Sequence, residues 1–326
     1  MSENNIGAVV NNGSYNTGVT IPESFITDSL AGKTEMTIQA ACIVSAGGVH
    51  DGNHFYIFQS RIGGSNTKFN FYVDVSTKLL AFGGRLMTTD SLVIATALIP
   101  NFQLGQVYIF TAAVNTETNK VRLFSNDEFL GEGSPFVRSG VISSASGTYP
   151  PRFLSNTVST THYASKGLIN DVRFWDRALT DEEVAHYHNR YLKGNEEGLV
   201  GLYRFDEESG TTVINSANVN YNGTLQNIAM RTDAIYSLNM FKYLVKSTSN
   251  IYTYPANEWI NTELQEPLTQ ANFEEYGMDS LASIVTPTTK AVKTMEYDRD
   301  EGEGKVYTRK IAPDKWQNEI QSMTVK

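Results

Sequence analysis

From about residue 15 onward the apolar positions come in short runs or in strict alternation, separated by Gly, Asn, Asp and Ser. Examples are "MTIQAACIV", "FYIFQSRI", "FNFYVDV", "LLAFGG", "VYIFTAAV" and "KVRLFSN". Runs of this length and spacing predict an antiparallel β-sandwich. In "FNFYVDV", Phe69, Phe71, Val73 and Val75 share one strand face while Asn70, Tyr72 and Asp74 share the other, so one side is apolar. Turn chemistry agrees: "NTETNK" follows "VYIFTAAV", and "SNDEF" separates "VRLF" from "LGEG", each where a hairpin needs turn-tolerant residues.

The stretch "GLINDVRFWDRALTDEEVAHYHNRYLKG", Gly167 to Gly194, departs from this texture. "DVRFW" places Val172 and Phe174 on one strand face and Arg173 and Trp175 on the other. A helix follows. Thr180 and Glu183 form a capping box, and Asp181 and Glu182 suit the positive end of the helix dipole. Val184, Tyr187, His188 and Tyr191 recur at helical spacing, which predicts a helix with one apolar face running to a stop at Gly194. Trp175, held between strand and helix, is placed for packing rather than as a sugar platform.

Beyond Gly194 short β runs return, with "DEESG" and "NYNG" as turns, and near Met240 the texture changes again. "FKYLVKSTSNIYTY" predicts a hairpin, "LTQANFEEYGMDSLASIV" a helix and "EYDRDEGEGKVYTRK" two strands around a polar turn. The expected organisation is an N-terminal arm over 1–14, a jelly-roll sandwich over 15–239 and a small α+β assembly domain over 240–326. No heptad, collagen-like or solenoid period is visible that would build a fibre shaft.

Composition narrows the classes of function. At 326 residues and 40% hydrophobic the chain affords a sizeable core. Its 35 acidic against 26 basic residues, a net charge of −9, would repel a phosphate backbone, so nucleic acid is not an expected partner. No apolar run approaches the roughly 20 residues of a bilayer span, so membrane insertion is not expected, and the start "MSENNIGAVVNNGSYNTG" lacks a secretory pattern. Cys42 is the one cysteine, which excludes an intramolecular disulfide or a Cys-based zinc cluster.

Two resemblances sharpen the expectation. "GLINDVRFWDRALTDEEV" followed by "GLVGLYRFDEESGTTVINSANVNYNGTL" is similar to the end of laminin-G-like, concanavalin A-like jelly-roll domains. The Gly-Ile-Asp-x-Val-Arg-x-Trp-x-Arg-x-Leu-Thr-x-x-Glu pattern of those domains falls on Gly167, Ile169, Val172, Arg173, Trp175, Arg177, Leu179, Thr180 and Glu183. This resemblance covers about residues 15 to 235 and implies a fold more than a function, because one scaffold serves lectins, sugar-cleaving enzymes and adhesion modules. "FKYLVKSTSNIYTYPANEWINTELQEPLTQANFEEYGMDSL" resembles a short module in tail and other virion proteins of phages infecting Gram-positive bacteria. It implies a virion location, other virion proteins as partners and a homo-oligomer, with a trimer as one form.

Candidate chemistry is sparse. Glycoside cleavage usually needs two facing carboxylates, and the strand pattern Glu-x-Asp-x-x-Glu that serves it on this scaffold is absent. Asp181 to Glu183 read as a helix cap, and Asp206 to Glu208 as the lead-in to a Ser-Gly turn. The densest polar loop, "GGVHDGNHFY", offers His50, Asp51, Asn53 and His54 to a sugar or a cation, or is an Asp-Gly hairpin turn. Tyr149, beside Pro150 and Pro151, and Asn156 offer a stacking face and an amide. His186 and His188, two apart on a helix, do not chelate one ion from one face. "DRDEGEG" has the Asp-x-Asp start of a calcium loop but lacks Gly at its sixth position and an acid at its twelfth, Arg309. Asn12 and Asn222 head sequons that matter only in a eukaryotic secretory route. No cofactor is expected; Ca²⁺ remains open without a motif.

The sequence thus predicts a non-catalytic virion protein, of tail, fibre or decoration type. Its jelly roll would bind host-surface glycan or dock another virion subunit. A glycan-cleaving enzyme on the same scaffold and a bacterial adhesion module are the alternatives.

Overall fold

A computed structural model describes residues 8–12, 17–48, 53–63, 66–158, 161–188, 190, 192–205, 207, 210–227 and 230–231. Further on it describes 244–247, 250–253, 260–265, 267–269, 272, 297–301 and 304–307.

The chain opens with β1 (Ala8–Asn12), β2 (Gly18–Thr20), the helix α1 (Glu23–Ser29) and β3 (Glu35–Gly48). Four strands follow: β4 (His54–Arg61), β5 (Thr67–Asp74), β6 (Leu79–Gly84) and β7 (Val93–Leu98). Next come β8 (Val107–Asn115), β9 (Lys120–Ser125), β10 (Glu128–Gly133), β11 (Arg152–Phe153), β12 (Ser155–Val158) and β13 (Thr161–Trp175). After α2 (Asp181–Tyr187) lie β14 (Leu199–Tyr203), β15 (Thr212–Val213), β16 (Gly223–Gln226) and β17 (Met230–Arg231).

These strands form two antiparallel sheets. The first runs β10-β9-β8-β3-β13-β1-β17, with β12 and β14 also pairing β13; the second runs β15-β16-β2-β11-β4-β5-β6-β7. Their inner faces meet as the expected jelly-roll sandwich. Phe58, Phe71, Phe82 and Phe153 from the second sheet and Ile38, Phe110 and Phe174 from the first are fully buried in one core. Phe174 meets Phe25 and Phe58 edge-on with ring centroids 5.1 Å apart in both cases. Each such ring contributes about 2–3 kcal/mol by leaving water, and edge contact adds to that. Cys42 sits in mid-strand on β3 between Tyr108 and Ile169, buried as a free thiol.

Local sequence explains the turns. Asn115 ends β8 and its side chain accepts the Thr118 amide at 2.9 Å, while Asn119 takes φ 54 before β9 begins. Asn126, at φ 57 between β9 and β10, accepts the Ile109 amide at 3.0 Å through its side-chain oxygen. Asparagine enters the left-handed region at low cost, which fits it for both places.

Two expectations need correction. β3 and β4, the strands on either side of "HDGN", do not pair as a hairpin, because β3 lies in the first sheet and β4 in the second. The helix after Thr180 ends at Tyr187, short of Gly194. Its capping box forms as expected, with the Glu183 amide donating to Thr180 Oγ1 and the Thr180 amide to Glu183 Oε2. What stops it is a buried cation: the Arg173 guanidinium donates to the Tyr187 and Arg190 carbonyls, groups that a longer helix would use internally. Tyr191, the last member of the predicted face, lies outside the described residues. The helix leans on Trp175, which is fully buried with Leu179, Val184, Leu192 and Leu202 in a second cluster.

Near the C-terminus, Leu244–Ser247 pairs antiparallel with Asn250–Thr253, and Tyr297–Glu301 with Gly304–Tyr307, so both expected strand pairs form. The helix expected in "LTQANFEEYGMDSLASIV" lies largely outside the described residues.

Candidate functional site

Register decides which side chains share the outer face of the second sheet. Gln59 on β4 is paired with Asn70 on β5 and with Arg152 on β11, so these three stand side by side. Two residues along β5, Tyr72 faces Tyr56, and two further, Asp74 faces His54. The stripe from Asn70 to Asp74 therefore spans ~13 Å of strand. A bulge at Ile57 makes this possible: Tyr56 and Gln59 stay on the outer face while Ile57 and Phe58 both turn into the core.

At one end the stripe is aromatic. The His54 ring lies 4.9 Å from Tyr72, edge-on, and 5.8 Å from Tyr56; its Nε2 is 3.8 Å from Asp74. The Tyr56 and Tyr72 rings are 5.6 Å apart. Asp74 itself is committed to a turn, accepting from the Ser76 amide at 2.9 Å and the Thr77 amide at 3.1 Å.

At the other end the stripe is polar and basic. Gln59 Nε2 donates to Asn156 Oδ1, which joins the floor of the face to β12. Arg61 continues the outer face of β4 beyond Gln59, and Arg85 follows β6 at the same level, its amide donating to the Lys68 carbonyl at 2.8 Å. Arg61 and Arg152 are only 5% and 3% exposed, whereas Arg85, Tyr149 and Asn156 are half-buried and form the rim. The loop carrying Tyr149 is held down on Arg61: the Gly63 amide donates to the Ser146 carbonyl at 2.8 Å, and a Cβ on Gly147 would lie 2.0 Å from Arg61 Cβ.

The charges of these arginines are poorly compensated. Arg61 Nε, Arg85 Nε, Arg152 Nε and Arg152 Nη1 are buried without a hydrogen-bond partner, as is Asn70 Oδ1. Burial, assisted by the neighbouring Arg61 charge, lowers the Arg152 pKa to about 10. Burial also lowers that of Arg61, with the Tyr149 oxygen opposing and Arg85 assisting the shift. Among the described residues, no carboxylate forms an ion pair with any of the three.

Of the residues singled out from sequence, His54, Tyr149 and Asn156 border this one face, and Asn53 precedes it, its carbonyl accepting the Val75 amide at 2.6 Å. His50 and Asp51 lie outside the described residues. Sequence reading missed Gln59, Asn70, Arg61, Arg85 and Arg152. The available signal was a long polar or charged residue set in an apolar strand, as in "FQSRI" and "PRFL".

Of the carboxylates considered for catalysis, Glu182 is exposed in the first turn of the helix, and three others have structural partners. Glu183 accepts from Arg177 at 2.6 Å, Asp181 pairs with Arg122, and Glu207 accepts the Ile214 amide. Asp206 and Glu208 lie outside the described residues. His188 Nδ1 is 2.8 Å from the Ala185 carbonyl.

No protein-family model matches the chain, and no curated protein matches it. Solved structures resemble the chain at low identity. A proposed carbohydrate-binding protein of Bacteroides ovatus is 15% identical, over 69% of this chain and 60% of its own, with a TM-score of 0.43. The heptameric SAP-like pentraxin of Limulus polyphemus is 17% identical, over 56% of this chain and 81% of its own, at 0.41. The CBM40 module of Ruminococcus gnavus IT-sialidase, solved with α2,3-sialyllactose, is 12% identical, over 56% of this chain and 96% of its own, at 0.41. Matches this distant say nothing about ligand or activity here.

Proposed function

We propose that the protein is a non-catalytic, glycan-binding jelly roll of a phage virion, acting in host attachment, and that the outer face of the second sheet is its recognition surface. One observation carries the glycan reading. Gln59, Asn70 and Arg152 are set side by side by strand register, with Asn156 and Tyr149 at one end and the His54, Tyr56 and Tyr72 rings at the other. Planar amides and guanidinium groups suit sugar hydroxyls, and the buried Tyr56 and Tyr72 rings form an apolar floor under the partly exposed His54 ring at that end. The carboxylates of Glu183, Asp181 and Glu207 serve a helix cap, an ion pair with Arg122 and a loop amide, which favours binding over hydrolysis.

The virion assignment rests on the resemblance of the segment from Phe241 to Leu281 to a phage tail module. The antiparallel pairing of Leu244–Ser247 with Asn250–Thr253 is consistent with the hairpin in that module. A glycan array probed with the full chain tests the binding reading. Asn156→Ala should weaken any hit about 5- to 30-fold, the loss of one or two hydrogen bonds. No hit on the array, together with full retention in purified particles, would leave docking to another virion subunit. Time-dependent release of reducing ends would instead establish an enzyme.

A further inference from the structure

We propose that the group recognised at the basic end of this face is an oxyanion carried by the glycan, a carboxylate or phosphate, held by Arg61, Arg85 and Arg152. The inference rests on the reading of the face as a glycan site and names the class of ligand. A neutral sugar needs no cluster of cations, and buried cations are ordinarily paired. Here two arginines are nine-tenths or more buried, a third is half-buried beside them, and each keeps a buried Nε–H without an acceptor. Lys68, on the same strand pair, has both the Ser143 carbonyl at 3.2 Å and Glu23 at 3.9 Å, so partnering a buried cation is within reach of this fold.

An oxyanion between the three arginines would supply acceptors to N–H groups that lack them and would relieve their mutual repulsion. Guanidinium forks match planar carboxylate and tetrahedral phosphate geometry. The overall charge of −9 makes the choice a local one, because the rest of the surface would repel an anionic polymer. Asn156 and Tyr149, half-buried at the rim, are placed to meet the sugar that bears the charge.

The test uses the full-length chain with three probes: oligogalacturonic acid, its neutral methyl ester, and inorganic phosphate, each titrated calorimetrically. The acid form should bind at least about tenfold more tightly than the ester, the loss expected for removing charge-assisted hydrogen bonds. Arg61→Gln and Arg152→Gln should abolish that preference. Because those side chains are buried, Arg85→Gln provides a third variant at a half-buried position, with the same expected direction and a smaller effect. Equal binding of acid and ester would overturn the anion proposal while leaving a glycan site in place. Phosphate bound with arginine dependence, and neither saccharide bound, would support the anion site and remove the glycan reading. Absence of binding by all three probes, or an acid preference unchanged in all three variants, would overturn the proposal.

Discussion

Arg173 and Arg152 are both buried arginines on sheet faces, yet they are opposite in chemistry. Arg173, 1% exposed, donates to Asp171 through Nε and Nη2, to Gln39 and the Tyr187 carbonyl through Nη1, and to the Arg190 carbonyl. Gln39 passes the network on to Thr111 at 2.9 Å. A bulge on β13 makes the site, turning Asp171 to φ 48 so that its carboxylate meets a guanidinium two residues away. Arg152, by contrast, keeps Nε and Nη1 without acceptors and has Arg61 as its charged neighbour. A satisfied buried arginine holds a fold together; an unsatisfied one adds little to it, and the cost of burying it points to a partner beyond the fold.

That contrast is open to direct attack. Arg173→Met should cost about 3–5 kcal/mol in urea unfolding, because it strands the Asp171 carboxylate in the interior. A loss below about 1 kcal/mol would break the comparison from the structural side. Next in size is Glu23, whose carboxyl is pushed up to about 7 from an ordinary 4.5 by burial, with Lys68 opposing the rise. The folded state then holds a proton that the unfolded state releases, so stability should fall as pH rises from about 4.5 to about 7 and level off above. Glu23→Gln should remove roughly 2–3 kcal/mol of that dependence, read from unfolding at about pH 5 and about pH 8.

Thr180→Ala should cost about 1 kcal/mol by opening the capping box of the helix that covers Trp175. Smallest of all, Arg152→Gln should change ligand-free stability by less than about 1 kcal/mol, or raise it, since it removes an uncompensated charge. A large loss there, measured by the same unfolding assay, would place Arg152 with Arg173.

The sandwich was legible because alternation and turn residues act locally. Val172 and Phe174 go inward as their spacing requires, and Thr180 and Glu183 cap the helix they announce. The helix end was not legible, because Arg173, a strand residue, competes for its last carbonyls. Neither was the site legible as a whole. His54 is far in sequence from Tyr149 and Asn156 and borders the same face only through the fold, and the Ile57 bulge that sets the phase of β4 leaves no mark in "HFYIFQSR". Arg61 and Arg152 read as ordinary polar positions, because they come close only through the fold, where Arg152 pairs with Gln59, two residues before Arg61.

Cys42 has a practical consequence. Its thiol is fully buried between β8 and β13, and burial pushes its pKa up, so in the closed protein it is neither accessible nor ionised. An alkylating reagent can reach it only when the central strands of the first sheet part. With no second thiol in the chain to share the signal, the rate of labelling becomes a clock for the opening of the sandwich, slowed by whatever ligand holds the structure shut.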